Sequence, residues 1–406
     1  MQFKDVIGHV SVKKHLAEMV SNNRLSHALL FLGKEGTGAL PMAISFAQYL
    51  VCQATGLSKK PAAEPSLFGD IQEAPGEIDY KEDACGVCPS CTKAHDLVHP
   101  DIHFSYPVIT RKPGTPPLST DYITEWREFI KQYPYGNVYD WLQFIGAENK
   151  QGNITAHECN DIIRRLSLKS FETGYKILIM WMPEYLGKEG NKLLKLIEEP
   201  PADTLFILVA ENESQILSTI LSRCQLIKIP ALEPPEIETA LVQRARVDTD
   251  KAKQIANASE GNYREALQLL QHADEDFNSL LREWMNATVK NQAVAQVKII
   301  EEIARLGREK QKQFLKYFSQ ILEQAVRLEI SNPELKEKLA RSVSSAELDF
   351  AERMNKLMAL EQKQAIAEEL DKAAYHIERN ANAKILFHAL TIKIYYIIKN
   401  HVVISV

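Results

Sequence analysis

Three cysteines within seven residues are the group in this sequence with the clearest potential for chemistry. The three are Cys85, Cys88 and Cys91, so successive cysteines are three residues apart. A glycine and a proline between them allow a turn that aims the three sulfur atoms inward. Cys52, at the end of a predicted helix, can supply a fourth sulfur. Four thiolates favour a closed tetrahedral zinc site that has no open position for a substrate. The group therefore predicts structural zinc and no catalytic role.

Two alternatives to zinc remain open at this point. The spacing C-x₂-C-x₂-C also begins ferredoxin iron–sulfur runs, but the fourth Cys-Pro that closes those runs is absent here. The other alternative is a set of reduced thiols without a ligand. It applies if the long segment between Cys52 and Cys85 holds Cys52 away from the other three.

A glycine-rich run is the second group with possible chemistry. It follows Ala28–Leu32, which predicts a buried strand, and it precedes a predicted helix. Strand, glycine-rich loop and helix together form a cradle for phosphate, because backbone N–H groups and the start of the helix point at the anion. The residues of this predicted phosphate loop are Gly33, Gly36, Gly38, Ala39 and Leu40.

The phosphate loop lacks the side chains that act on ATP. In the pattern G-x-x-x-x-G-K-[ST] the lysine neutralises phosphate charge and the hydroxyl holds magnesium, but Ala39 and Leu40 stand at those positions. Lys34 comes five residues too early to replace the lysine. By itself, the run is equally typical of a tight turn that never bound nucleotide.

A second loss makes a former ATPase the better interpretation. The strand predicted at Tyr175–Met182 should end in an acid that positions magnesium, and Ile177–Met182 contains no acidic residue. Glu184 follows Pro183 and comes too late to act. We therefore predict a degenerate ATPase site that does not hydrolyse ATP.

The composition narrows the classes of protein. A chain of 406 residues predicts two or three domains, and 45% apolar with 25% charged residues is typical of a folded soluble protein. A net charge of -5 argues against a broad basic surface for phosphates. The beginning of the chain shows no export signal and no run reaches the ~20 apolar residues of a membrane helix, so we expect a cytoplasmic protein.

The order of predicted elements gives three domains. Strands at Ala28–Leu32, Tyr175–Met182, Leu205–Ala210 and Leu226–Ile229 alternate with helices, which predicts a parallel sheet covered on both faces. We predict an α/β domain over 1–230, a small helical lid over 231–274, and an all-α domain over 275–406.

Two insertions interrupt the α/β domain. The segments at about 53–84 and 110–153 are rich in Pro and Gly, and both are interpreted as loops, the second with a short helix near Tyr122–Gln132. Ser331, Asn332 and Pro333 predict a helix start in the third domain.

Five further segments resemble, in order, the bacterial clamp-loader family of AAA+ proteins over about residues 1–270. They are Phe3–His9, Arg24–Ala28, Asn191–Pro201, Ser222–Cys224 and Gly261–Leu267. The resemblance implies an α/β AAA+ fold with a P-loop-like parallel sheet, followed by a helical lid and a helical collar that assembles subunits. The third domain matches weakly, chiefly at Arg379–Asn382 and the helix that follows.

The resemblance also implies roles for two arginines. Arg223 of the Ser-Arg-Cys segment matches a finger that enters the ATP site of a neighbouring subunit, and the alternative is a solvated arginine before an edge strand. Arg264 matches a sensor arginine that meets nucleotide in its own chain, and a structural ion pair is equally expected because the phosphate loop is degenerate. Cys224 is expected to be a core thiol.

The implied function is that of a non-catalytic clamp-loader subunit of DNA polymerase III. The expected partners are the gamma/tau ATPase and delta subunits and, through the complex, the sliding clamp and primer–template DNA. The alternative is an ATPase of the gamma/tau type with an atypical site. A zinc-dependent nucleic-acid module is disfavoured by the missing basic and aromatic stripe. No carboxylate triad for two-metal nucleotidyl transfer is visible, so we predict no polymerase activity for the chain itself.

Overall fold

The computed structural model describes residues 1–55, 82–111, 114–147, 150–172, 174–271, 277–330, 345–379 and 381–400. The chain divides into two compact units, Met1–Leu270 and Gln271–Val406. Most of the predicted first insertion, the predicted helix start at 331–333 and Asn380 lie outside the described residues. The finer division into a lid and a collar at 274/275 stays a prediction.

A parallel five-stranded sheet forms the centre of the first unit, in the order β2-β3-β4-β1-β5. Its strands are β1 (Ala28–Leu32), β2 (Ile102–Ser105), β3 (Lys176–Trp181), β4 (Thr204–Ala210) and β5 (Gln225–Lys228). Strands β1, β3 and β4 are buried almost throughout, because helices cover both faces of the sheet. This burial explains their continuous apolar sequences.

The helices of the first unit surround this sheet. They are α1 (Val10–Ser21), α2 (Ala39–Val51), α3 (Pro89–His95), α4 (Ile123–Gln132), α5 (Val138–Phe144), α6 (Ala156–Ser167), α7 (Leu194–Glu198), α8 (Ser218–Leu221), α9 (Pro234–Ala245), α10 (Thr249–Ala258) and α11 (Tyr263–Gln271). Helices α9 to α11 have a small apolar core of their own, which also includes Ile7 and Tyr135.

The structure corrects two expectations about this unit. Strand β2 was not predicted from the sequence, although it forms an edge of the sheet next to β3. The segment 110–153 is more than a loop with one helix, because helices α4 and α5 bury Trp126, Phe129 and Trp141 against the main core. The second insertion, where described, is thus a folded part of the unit.

The second unit is helical throughout its described part. Its helices are α12 (Phe277–Val289), α13 (Ala293–Arg305), α14 (Arg308–Ile330), α15 (Ser345–Leu357), α16 (Leu360–Glu378) and α17 (Ala383–Asn400). They enclose one core, in which the Trp284 Nε1–H donates to Thr391 Oγ1 over 2.9 Å. None of the helices in the described ranges is both long and apolar enough to cross a bilayer.

Candidate functional site

The predicted phosphate loop has the expected backbone position. It connects the carboxyl end of β1 to α2, and Gly36 and Gly38 adopt φ values of 69° and 96°, which favour glycine. Helix α2 begins at Ala39, and the third residue of its first turn is Pro41, which has no N–H. The helix start therefore offers one donor fewer to an anion than a usual phosphate loop, a loss that the sequence analysis missed.

The first acid after strand β3 has a structural role. Glu184, after β3, accepts hydrogen bonds from the N–H groups of Glu211 (2.7 Å) and Asn212 (2.9 Å) in the loop after β4. Burial raises the pKa of this carboxyl group. Glu184 therefore joins the loop after β3 to the loop after β4, and the expectation that it does not replace the missing acid stays a prediction.

Side chains from the second insertion lie over the phosphate loop. A Cβ atom placed on Gly38 would lie 2.9 Å from the Tyr135 ring. The Asn137 amide donates to Glu35 Oε2 over 2.8 Å, and Tyr135 Oη accepts the N–H of Ile7 over 2.8 Å. The space left beside the loop is a cavity of about 20 Å³. Such a volume holds about one water molecule.

Arg264 forms the ion pair that was one of its two predicted roles. Its side chain is 6% exposed, and its guanidinium group pairs with both carboxylate oxygens of Asp140, through Nε at 2.5 Å and Nη2 at 2.7 Å. Glu35 lies 3.3 Å from Nη1. The buried positive charge thus has two acidic partners from its own chain, and one of them belongs to the second insertion.

The cysteine cluster brings all four predicted ligands together. The sulfur atoms of Cys52, Cys85, Cys88 and Cys91 lie within 4.8 Å of one another, and the Cys85 and Cys91 sulfurs are 3.9 Å apart. Zn–S bonds of about 2.3 Å in a tetrahedron require sulfur atoms about 3.8 Å apart. The cluster therefore has the spacing of a single tetrahedral ion.

Local structure orients these sulfur atoms. The backbone N–H groups of Cys85, Cys88 and Cys91 point at the sulfur atoms of Cys52, Cys85 and Cys88, at 3.3, 3.4 and 3.4 Å. Such N–H contacts stabilise thiolates. A hydrogen bond from Cys91 lowers the pKa of Cys52 to about 4, and the same bond raises the pKa of Cys91. The alternative in which the insertion holds Cys52 away does not apply.

Arg223 lies at the amino ends of the sheet strands, whereas the phosphate loop lies at their carboxyl ends. It immediately precedes Cys224 and strand β5, an edge strand, and it lines an open cleft with His27, which precedes β1. The Arg223 side chain is 33% exposed, and its Nε donates to Glu198 over 2.6 Å. Cys224 is partly buried, and burial raises the pKa of its thiol to about 11.

The parallel sheet with a glycine loop after β1 belongs to the α/β class with a P-loop-like turn that the sequence predicted. Within that class, a model of the family described as DNA polymerase III, delta subunit, matches residues 8–66 and 72–233. The chain belongs to this family, which confirms the resemblance to clamp-loader subunits of DNA polymerase III.

Individual relatives agree with this assignment. The delta′ subunit of Bacillus subtilis DNA polymerase III is 27% identical over 258 residues, which are 64% of this chain and 58% of that protein. The tau subunit of the same organism is 24% identical over 278 residues, 67% of this chain and 38% of that protein. The matches thus span between 38% and 58% of these relatives.

A solved gamma subunit-related protein from Thermotoga maritima is 13% identical, with a TM-score of 0.38 and coverage of 93% of this chain and 97% of that one. A score this low does not define a shared fold, so the family assignment depends on the sequence match.

Proposed function

We propose that this chain is a non-catalytic subunit of a DNA polymerase III clamp-loader complex. In this proposal it helps to load the sliding clamp onto primed DNA, and it supplies Arg223 to the ATP site of a neighbouring gamma/tau-type subunit. The family match supports membership in such a complex. Ala39 and Leu40, in place of the ATP-binding lysine and hydroxyl, support the absence of catalysis within the chain.

The observation that carries the proposal is the separation of Arg223 from the phosphate loop of its own chain. All strands of a parallel sheet start on one side of it and finish on the opposite side. Arg223 precedes β5 and so lies where the strands start, whereas the phosphate loop follows β1 and lies where they finish. A strand of five residues at ~3.3 Å each is roughly 15 Å long, and this length separates Arg223 from the phosphate loop. An arginine so placed meets a nucleotide only if another chain brings it.

The contacts of Arg223 are compatible with such a transfer. Apart from Glu198, its guanidinium donates to the Thr219 carbonyl over 2.6 Å and to Ser222 Oγ over 3.1 Å. A partly exposed ion pair with Glu198 contributes only ~0–1 kcal/mol. Exchanging Glu198 for a phosphate is therefore a small change, and the stronger charge of the phosphate favours it.

The test of this role is Arg223→Ala in a reconstituted complex. A finger in trans can raise hydrolysis at its site by ~10³-fold or more, so ATPase stimulated by clamp and primed DNA should fall substantially while other sites keep their own fingers. The matched control is Arg164→Ala, an arginine on α6 whose side chain is 77% exposed. Normal assembly with wild-type ATPase and loading rates would show that Arg223 is structural or idle.

The isolated chain is proposed to have no ATPase of its own. Besides the lost lysine and acid, the Tyr135 ring lies close to Gly38 and the Asn137 side chain is bonded to Glu35, so both crowd the phosphate loop. These observations disfavour the gamma/tau-type alternative. Titration of labelled ATP against the purified chain separates the two, since an active site of the atypical kind would bind ATP with magnesium.

The cysteine cluster is proposed to hold one structural zinc ion. When bound, zinc would join α2, through Cys52, to the turn that precedes α3. Multi-iron clusters bind thiolates on different irons and need wider sulfur spacing than 4.8 Å. Elemental analysis of freshly purified protein tests this: one zinc per chain is expected, and iron, or no metal at all, would contradict the proposal.

The second unit is proposed to drive assembly with homologous subunits. It exposes apolar side chains on two helices, Val294 on α13 and Ile385 and Ile392 on α17, at 86%, 70% and 57%. Exposed apolar groups of this kind favour contact with other chains. A truncation that ends at Leu270 coincides with the end of the first unit. It should fold but leave the complex, and stoichiometric co-purification would contradict the assignment.

A further inference from the structure

The segment 133–140 of the second insertion contacts the phosphate loop region at three points. The Tyr135 ring covers Gly38, Asn137 donates to Glu35, and Asp140 pairs with Arg264. These contacts join residues that are 102 and 124 positions apart in the chain. The segment turns at Pro134 and Tyr135, between α4 and α5, and the Gly136 N–H closes the turn by donating to the Tyr133 carbonyl over 2.9 Å.

The charges of the region are balanced by the chain itself. Arg264 is 5% exposed, and a buried guanidinium without an acidic partner is strongly destabilising. The bidentate geometry with Asp140 is the one that arginine adopts with a carboxylate or a phosphate. Because Asp140 and Glu35 already occupy this arginine, no anionic ligand is required to neutralise it.

The same region connects the sheet to helices α9 to α11. The N–H of Tyr263, the first residue of α11, donates to the Gly36 carbonyl over 3.1 Å. The Tyr135 and Tyr263 rings meet edge to face at 5.1 Å between centroids. The Asn262 side chain lies against Gly36 and donates to Glu35 over 3.3 Å. The phosphate loop, the insertion and α11 therefore share one contact network.

We propose that the segment 133–140 is a permanent intramolecular occupant of the phosphate loop region, and that its Asp140 holds helices α9 to α11 against the sheet through Arg264. A bound anion at a helix start would otherwise be the natural bridge between a glycine loop and a nearby arginine. Here the bridge is covalently part of the chain, so the position of α9 to α11 is independent of nucleotide. This inference deepens the proposed function, since it rests on a chain that does not use ATP.

The test is hydrogen exchange of the full-length chain and its Asp140→Ala variant. Loss of the carboxylate leaves Arg264 underpaired, so amide protection in α9 to α11 should fall about tenfold or more, while strands β3 and β4 keep theirs. Glu128→Ala, which removes an exposed acid from α4 of the same insertion, is the matched control and should change nothing.

A second variant separates the ion pair from a local effect on α5, because Asp140 also accepts the N–H of Asn137 at the start of that helix. In an Arg264→Leu background, Asp140→Ala should lower the protection of α9 to α11 by less than about twofold further. Independent, multiplying losses would show that Asp140 acts only on α5 and would overturn the proposal.

Hydrogen exchange in the presence of ATP tests whether the segment 133–140 stays on the phosphate loop region. In the wild-type chain, millimolar ATP with magnesium should leave the protection of α9 to α11 unchanged. Increased protection, or ATP binding that exposes the segment 133–140, would overturn the proposal. Hydrogen exchange of the isolated chain does not involve Arg223, so this test and the test of the finger succeed or fail separately.

Discussion

The phosphate loop and the cysteine cluster lie at the two ends of the same helix, α2, and each has the form of a site for a charged ligand. At the phosphate loop Ala39 and Leu40 stand where the ATP-binding pattern has a lysine and a hydroxyl, and side chains of the second insertion lie against the loop region. These side chains are Tyr135, Asn137 and Asp140. At the cluster all four sulfur atoms remain within 4.8 Å of one another.

The comparison shows which kind of site can be replaced by protein. A glycine loop presents backbone groups and a nearby cation, and neutral or acidic side chains of the same chain can satisfy both. Four crowded thiolates repel one another, so without a cation some of them take up protons, and only a bound cation keeps all four ionised together. A chain can therefore substitute side chains for nucleotide, but it cannot easily substitute side chains for metal.

A substitution within the cysteine cluster should cause the largest loss of stability. Cys88→Ser removes one of four sulfur ligands, and because metal affinity is part of folding stability we expect loss of the metal and on the order of 3–5 kcal/mol of stability. Elemental analysis and urea unfolding measure both. Cys224→Ser, a cysteine outside the cluster, should keep the metal. Full metal content in Cys88→Ser would mean that the cluster is not the binding site.

A change at the phosphate loop should have the next largest effect. Gly36→Ala forces a side chain into positive φ and against Asn262, so we expect a loss of about 2–4 kcal/mol. Gly114→Ala is the matched control, because Gly114 also has a positive φ, of 83°, but has open space around it. It should cost only about 1 kcal/mol in urea unfolding. Equal losses in the two variants would show that Asn262 does not lie against Gly36.

Tyr135→Phe should have a smaller effect that depends on pH. The Ile7 N–H loses its acceptor, which costs about 1 kcal/mol at neutral pH. Burial raises the pKa of Tyr135 from its ordinary value of 10.0 to about 12. The unfolded chain therefore ionises first, and the free energy of unfolding falls as the pH rises from about 10 to 12. The variant should lack this part of the decline, and an unchanged alkaline profile would contradict the burial of the hydroxyl.

Placing a lysine and a threonine in the phosphate loop should have the smallest effect, because we expect no gain of ATP binding. The double variant Ala39→Lys with Leu40→Thr recreates the ATP-binding pattern, but the filled loop and the acid-free strand β3 remain. We expect no measurable ATP binding in isothermal titration. If this variant bound ATP with micromolar affinity, the residues at 39 and 40 alone, and not the side chains that lie against the loop, would prevent ATP binding in the native chain.

The sequence predicted the parts of the fold whose signals are local. Strands β1, β3 and β4 are continuous apolar runs because both faces are covered, and the ligand cysteines carry their spacing in the chain. Strand β2 has only four residues and includes the polar His103, so its apolar signal is too short to recognise.

The occupied phosphate loop was not predictable in the same way. The contact between Asp140 and Arg264 joins positions 124 residues apart, and nothing local in the insertion indicates which surface it covers. The sequence left Arg264 with two possible roles, and only the folded position of α5 distinguishes them. The location of Arg223 at the amino ends of the strands likewise depends on the order of the strands.

We propose that the phosphate loop of this chain has lost its ligand while the cysteine cluster has kept its metal. The most direct measurement is made on a single preparation of the purified chain, with zinc determined by elemental analysis and labelled ATP by equilibrium dialysis in the presence of magnesium. We expect one zinc ion and no ATP per chain. Stoichiometric ATP, or protein that is fully folded with no bound metal, would contradict it.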